Sequence, residues 1–306
     1  MRALARNGAL ASFLVVAACA RDTSSEATTA TAEAEPGSPV LDEDDLLDVA
    51  ALGRALRRPH AVTRRALGPH RLRYQARYET TPTPPPPSTP ALDTPVHLAR
   101  SIQDELELVW ATVDPATPRF TLDQRNDAGR GRHVVRIGET LYTHLEHRPW
   151  ITFPVESELD ELWLDDAYRS AYDALAFVAP ALQLALRSGG DTDAVLELSL
   201  ASERREPLEG TRPPTATWRE HVVFTALRGE LALDPRTGTW RSMRVDATYH
   251  IDGTPMSGSF SFSGTLEPLA SEALPPIEPP ADARPLADRR RLEAEKRRLL
   301  ADLAPT

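Results

Sequence analysis

Residues 71–78 read RLRYQARY, and apolar and polar side chains alternate along them without a break. Leu72, Tyr74, Ala76 and Tyr78 occupy every second position, while arginine or glutamine occupies the positions between them. A period of two places the first set on one face of a β-strand and the second set on the other face. The segment therefore predicts a half-buried strand, with one face against a core and the other in water.

The same period of two recurs toward the C terminus. Apolar residues alternate in residues 106–110, 120–122, 135–141, 196–200, 222–224, 231–233, 243–251 and 260–266. Residues 234–238 (DPRTG) and the pair Asp252-Gly253 have the composition of turns between strands. About nine or ten strands at short spacing, with no strand–helix–strand alternation, predict an antiparallel sheet.

Helices are expected in three places. Residues 41–58 begin with four acidic residues and end with three arginines, an order that suits the helix dipole and predicts an N-terminal helix. Residues 159–178 carry apolar side chains at helical spacing and predict a helix of roughly 30 Å, long enough to lie across the sheet as a lid. Pro180 breaks it, and one or two further helical turns are expected to reach Leu186. Residues 286–303 predict a charged C-terminal helix.

The N terminus has the pattern of an export signal. Arg2 and Arg6 precede the apolar residues 8–16, and VAAC at 16–19 resembles a lipobox that ends at Cys19, the only cysteine of the chain. The apolar run is too short for a membrane-spanning helix, which needs roughly 20 residues. We therefore predict a signal peptide over residues 1–18 and lipid attachment at Cys19.

The predicted lipidation gives an expected location and domain organisation. Acyl chains on Cys19 would anchor the protein to a membrane, and Ala20 favours the outer membrane, facing the periplasm, over the inner membrane. Residues 19–40 predict a disordered tether, residues 41–268 the sheet domain, and residues 269–306 a proline-rich strap with a charged helical tail. The net charge of −10 argues against nucleic acid as a partner.

Four segments carry a resemblance to a known family: RLRYQARY at 71–78, PRFTL at 118–122, RIGETLY at 136–142 and LDPRTGTW at 233–240. Together with the lipid anchor and the helices, they resemble the half-barrel lipoprotein carriers and receptors of the Lol type, whose architecture mycobacterial lipid-binding envelope lipoproteins share. The resemblance implies an α+β fold, a curved antiparallel half-barrel with a helical lid over a concave apolar face. The chain departs from the family in its Ile137-Gly138-Glu139 hairpin, its proline-rich loop at 81–95 and its charged tail.

A concave apolar face suits an acyl chain, because each buried methylene contributes about 0.8 kcal/mol. The candidate lining residues are Tyr74, Trp110, Phe120, Phe224, Tyr249 and Phe260 on strands, with Trp163 and Phe177 on the lid. The alternative is that these residues are the core of a closed sandwich. We expect a membrane-anchored protein that binds or receives lipid or lipoprotein acyl chains. The alternative function is a structural lipoprotein that docks an envelope partner through its proline-rich loop or C-terminal helix.

Neither catalysis nor metal binding is expected. The chain has no Gly-x-Ser-x-Gly, Walker, dinucleotide-binding or His-Glu-x-x-His motif. His144 and His147 form the nearest approach to a metal-binding pair, but residues three apart on a strand point to opposite faces. Four acidic residues cluster in the predicted lid helix, and its N-terminal dipole explains the first two of them: Asp160, Glu161, Asp165 and Asp166. We therefore expect a protein that is not an enzyme and has no cofactor or metal.

Overall fold

The computed structural model describes residues 41–82, 100–114, 116–127, 131–146, 148–155, 159–189, 193–208 and 221–286. The predicted signal peptide, the tether with Cys19, His147 and the predicted C-terminal helix beyond Leu286 lie outside these segments, as does most of the proline-rich loop. The predictions made for them, including the docking elements of the alternative function, stay predictions.

A single 12-stranded sheet dominates the described residues. Its strands are β1 His70–Pro82, β2 Arg100–Trp110, β3 Arg119–Asn126, β4 Arg132–Ile137, β5 Thr140–Leu145, β6 Ile151–Pro154, β7 Leu182–Gly189, β8 Ala194–Leu200, β9 Val222–Asp234, β10 Thr239–Ile251, β11 Met256–Pro268 and β12 Arg284–Pro285. Their spatial order is β12-β6-β5-β4-β3-β2-β1-β11-β10-β9-β8-β7, and only the β12–β6 pair is parallel. The sheet is curved and unclosed, which confirms the predicted α+β class and half-barrel-like sheet.

The strand β1 confirms the prediction made from its alternating sequence. It lies between β2 and β11, where Tyr74 pairs with Leu106 on one side and with Gly264 on the other. Leu72 is completely buried, while Arg73 and Gln75 are exposed. We call the face that carries Leu72 the inner face and the opposite face the outer face. The predicted turns at 234–238 and at Asp252-Gly253 are confirmed as the β9–β10 and β10–β11 connections.

The predicted single helix over residues 41–58 is wrong. The structure has α1 Glu43–Leu47 and α2 Val49–Leu56, and a third helix, α3 His60–Leu67, follows Pro59. The break lies at Asp48, whose carboxylate accepts a hydrogen bond from the backbone N–H of Ala50 at 2.8 Å. An aspartate in this role caps the helix that follows it, so local hydrogen bonding overrides the continuous charge pattern.

The predicted lid helix forms as two helices, α4 Leu159–Tyr168 and α5 Ser170–Val178, followed by a 3-10 turn at Ala179–Ala181. The further helical turns predicted up to Leu186 are wrong, because that segment is β7, which pairs with β8. Its sequence LQLALRSG places leucine at every second position, which is the strand period, but the segment directly follows a helical run. None of the described helices combines the length and apolar character needed to cross a membrane.

The alternating residues Val135 and Ile137 of β4 lie on the outer face. The register pairs Val134 with Leu122 on the inner face and Val135 with Thr121 on the outer face. Both valines are buried, so alternation alone does not distinguish the two faces here. The register also places Arg132 and Arg136, which flank Val134 at two-residue spacing, on the inner face.

The proline-rich strap after β11 returns to the edge of the sheet. Leu269 donates a backbone hydrogen bond to Pro69 O at 2.8 Å, and Leu286 donates one to Thr152 O at 2.9 Å. A 3-10 turn, Ser271–Ala273, lies near its start and β12 near its end. The strap therefore covers part of β6, which would otherwise be the outermost strand on this side.

Candidate functional site

The helix α5 packs the ring of Phe177 against the inner face. All of its residues except Asp173 are buried, and the ring of Phe177 contacts rings of the sheet. The centroid of the Phe177 ring lies 4.8–5.8 Å from four rings of the sheet, all edge to face, a favourable geometry for aromatic pairs. We call these five side chains the aromatic cluster: Tyr78, Phe177, Phe224, Tyr249 and Phe260.

The structure thus brings four of the eight predicted lining residues together and separates the other four. Trp110 stacks on Phe120 at 5.7 Å, and the guanidinium of Arg64 lies 4.6 Å from the Trp110 ring centroid. Trp163 lies on α4, where Arg132 approaches its ring centroid to 5.5 Å. These rings contact protein groups in this structure, and their role as ligand contacts stays a prediction.

Tyr74, the remaining candidate, belongs to a polar group on the inner face. Its hydroxyl donates to Asp104 Oδ2 at 2.8 Å, and Gln124 Nε2 donates to both oxygens of the same carboxylate at 3.0 and 3.1 Å. Burial, together with the negative charge of Asp104, raises the pKa of Tyr74 well above its usual range. The phenol therefore stays protonated as a donor, and neutral groups supply the hydrogen bonds of Asp104.

Two ion pairs connect α4 to the strand β4. Asp160 is 1% exposed and pairs with Arg136, whose side chain is 16% exposed. Arg132 Nη2 lies 3.5 Å from Asp166 Oδ2, and the Arg132 side chain is 15% exposed. Both carboxylates come from the helix and both cations from the inner face of the sheet, so α4 and the sheet are held together by opposite charge at this place.

A third carboxylate of α4 binds the helix α3. His60 Nε2 donates to Glu161 Oε2 at 2.6 Å, and Arg64 Nη2 lies 3.5 Å from the same oxygen. The hydrogen bond from His60 and the charge of Arg64 lower the pKa of Glu161, although burial opposes them. The sequence analysis explained Asp160 and Glu161 by the dipole at the start of the helix. It missed their specific partners, which are Arg136 for Asp160 and His60 for Glu161.

His70 joins β1 to α4 at the other end of that helix. The histidine is completely buried, and its Nδ1 lies 2.6 Å from Gly68 O. A carbonyl oxygen only accepts, so Nδ1 carries the proton and Nε2 accepts from the Tyr168 hydroxyl at 2.5 Å. Burial lowers the pKa of His70 to about 4 and raises that of Tyr168, so both groups are neutral in the folded protein.

Of the two histidines that resembled a metal-binding pair, the structure describes His144. His144 pairs across the strands with His133, and both rings contact Trp150 at 5.0–5.2 Å between centroids. Within the described segments, no three histidine, cysteine, aspartate or glutamate side chains are placed to hold a metal ion.

Sequence reasoning missed Arg132, Arg136 and Asp104 as residues of the inner face. The available signal was the spacing RHVVR, because arginines four apart on a strand share a face. Four carboxylates within the ten residues of α4 were the complementary signal, since buried charges need partners. Both signals depend on a pairing of β4 with α4 that only the fold shows.

Comparison with known proteins assigns no family. No family model matches the chain, and a search of curated proteins finds no match. A solved structure that resembles it is that of a DUF1329 family protein from Desulfovibrio piger, at 9% sequence identity and a TM-score of 0.21. The likeness covers 72% of this chain and 92% of that one. A likeness at this level carries no argument about fold or function, so the resemblance to the Lol type stays a prediction.

Proposed function

We propose that the protein is a membrane-anchored envelope lipoprotein that binds or receives acyl chains of lipids or lipoproteins on its inner face, and that it is not an enzyme. The observation that carries this proposal is the packing of α5. The aromatic cluster of the inner face is covered by a helix, which is a separate element from the strands that carry the other four rings. A ligand could therefore take the place of Phe177 without any strand leaving the sheet.

In this proposal, α4 and α5 act as the helical lid. The ion pairs of α4 are suited to opening, because separated charges regain hydration that buried ones lack. Displacement of α5 exposes the aromatic cluster, and an acyl chain restores the lost apolar contact at about 0.8 kcal/mol per buried methylene. The unclosed sheet supports this mechanism, since its edges do not have to separate for a long chain to enter.

The lipid anchor at Cys19 and the outer-membrane location, facing the periplasm, are part of the same proposal. Replacing Cys19 by serine removes the thiol that would be acylated. We expect native protein to fractionate with outer membranes and to carry the added mass of acyl chains, whereas C19S should keep its signal peptide and lack that mass. Identical masses and identical fractionation of the two forms would contradict the anchor.

Ligand binding is tested on an unlipidated form, in which residue 19 is alanine and a signal peptide cleaved without lipidation directs export. We expect organic extracts of this form, purified from the periplasm without detergent, to contain acyl lipids by mass spectrometry. An unrelated periplasmic protein purified in parallel controls for carry-over. A lipid-free protein that also fails to take up a fluorescent fatty acid would overturn the proposed function.

A further inference from the structure

Two arginines of β4 occupy an unusual position in this fold. Arg132 and Arg136 lie on the inner face on either side of the buried Val134, and their cross-strand partners are Gln124 and Phe120. Buried ion pairs stabilise a fold no better than well-packed apolar residues of similar volume. Stability alone therefore does not explain two largely buried guanidinium groups on the inner face of the sheet.

The acidic partners of these arginines come from the lid. Asp166 reaches Arg132 only at 3.5 Å, and Nε of Arg132 is buried with no hydrogen-bond partner among the described residues. Arg136 pairs with Asp160 and donates through Nε to Gly138 O at 3.1 Å. Arg132 thus retains donor capacity that α4 does not use.

Displacement of α4 would leave an uncompensated charge on the inner face. Arg132 and Arg136 would then lose Asp166 and Asp160, while Asp104 stays on the inner face of the sheet. Asp104 already accepts hydrogen bonds from Tyr74 and Gln124. Two guanidinium groups that lose their carboxylate partners favour another anion, and the guanidinium fork binds carboxylate or phosphate through two parallel hydrogen bonds.

We infer that Arg132 and Arg136 form an anion site, that α4 fills it with Asp160 and Asp166 when the lid is closed, and that the ligand is an anionic amphiphile. Its carboxylate or phosphate takes the place of the two α4 carboxylates while its acyl chain takes the place of Phe177. This inference rests on the proposed function, because it names the head group of the ligand bound there.

The test compares two ligands with the same chain, oleate and the uncharged oleyl alcohol, by displacement of a neutral fluorescent dye from the unlipidated form. We expect oleate to bind about tenfold more tightly or better, the usual gain from a hydrogen bond to a charged group. Arg132→Gln should reduce oleate affinity by about that factor and leave the affinity for the alcohol unchanged. Oleoyl lysophosphatidate, which presents a phosphate on the same chain, should follow oleate.

The variant Asp166→Asn should change the oleate affinity in the opposite direction to Arg132→Gln. It removes the competing carboxylate, so oleate affinity should rise while the affinity for the alcohol does not. A purely structural role of the ion pair would instead shift both ligands in the same direction in both variants. Because Arg136→Gln alone would leave the buried Asp160 unpaired, the second site is tested with the double variant Arg136→Gln/Asp160→Asn, which should also lower the preference for oleate.

Arg73→Gln is the matched control, because Arg73 is an exposed arginine of the outer face that pairs with Glu107 at 2.8 Å. It should leave the preference for oleate intact. Equal binding of oleate and oleyl alcohol by the parent protein would overturn the anion site and leave the proposed function standing. If neither ligand binds, the proposed function fails. Tight binding of inorganic phosphate without any preference between the acyl ligands would overturn the ligand class named here.

Discussion

His70 makes the stability of the fold depend on pH. Burial lowers its pKa from 6.5 to about 4, so between these values the unfolded chain binds more protons than the folded protein. The contribution of neutral His70 is therefore fully present above pH 6.5 and is lost as the pH falls toward 4. The difference in pKa corresponds to about 3 kcal/mol of unfolding free energy, measurable by urea denaturation across this range.

Carboxylates also lose stabilising interactions in acid, so a variant is needed to isolate His70. Glu161, with its lowered pKa, contributes stability that is present above pH 4.5 and lost below it. The amide of His70→Gln offers a donor and an acceptor but does not titrate in this range, and it should flatten the profile between pH 6.5 and 4. His250→Gln, on the exposed outer face, should leave the profile unchanged. Parallel profiles for the native protein and H70Q would refute this assignment.

The second prediction about a single side chain concerns Asp160. Because it is almost completely buried, Asp160→Asn should leave the guanidinium of Arg136 without its charged partner and reduce the unfolding free energy by about 3 kcal/mol. The double variant with Arg136→Gln should recover much of that loss in urea denaturation. Neutralising the exposed pair Arg73 and Glu107 should cost less than about 1 kcal/mol. Equal costs for the two pairs would contradict the buried character of the first.

A side chain at Gly258 of β11 would collide with both neighbouring strands. A Cβ atom there would lie 2.3 Å from Glu79 O on β1 and 2.6 Å from the ring of Tyr249 on β10. Because a backbone carbonyl cannot move aside cheaply, Gly258→Ala should destabilise the fold by about 1–3 kcal/mol and lower its melting temperature. Ser263→Ala, exposed on the same strand, is the control and should change the melting temperature little. A melting temperature unaffected by G258A would show that these strands lie further apart.

The elements differ in how far their sequences predict them. The strand β1 was predictable because Leu72 to Tyr78 alternate cleanly and its faces differ sharply in polarity. The segment after Pro180 was assigned wrongly although Leu182, Leu184 and Leu186 alternate at strand spacing, because it directly follows a helical run and continues its apolar character. Asp48 was visible as a capping residue, but the charge order around it favoured one continuous helix.

The candidate site was predictable in its residue types more than in its geometry. Phe224, Tyr249 and Phe260 were found by their alternation and Phe177 by its place in an apolar helix, whereas Tyr78 was predicted only as a strand residue. The charged part was missed because Val134 and Val135 are both buried, which hides the face on which Arg132 and Arg136 lie. The ion pairs with α4 show that these arginines lie on the inner face, and alternation within β4 alone does not indicate this.

The proline-rich strap forms one edge of the sheet, because its strand β12 pairs with β6. Its pairing with β6 satisfies backbone groups that would otherwise offer an edge for strand addition. We expect truncation after Pro268 to lower stability and to increase self-association in analytical ultracentrifugation. Truncation after Leu286 keeps this pairing and is the matched control. Two truncated forms that behave alike would show that the strap does not protect the edge.

The central claim is that an acyl chain binds on the inner face beneath α4 and α5, and tryptophan quenching by a brominated fatty acid tests it most directly. Trp163 lies on α4, whereas Trp150 contacts His133 and His144 on the outer face. Saturable quenching of the unlipidated form is predicted, with a larger part of it lost in Trp163→Phe than in Trp150→Phe. Absence of saturable quenching, or quenching that disappears in W150F and persists in W163F, would contradict the account.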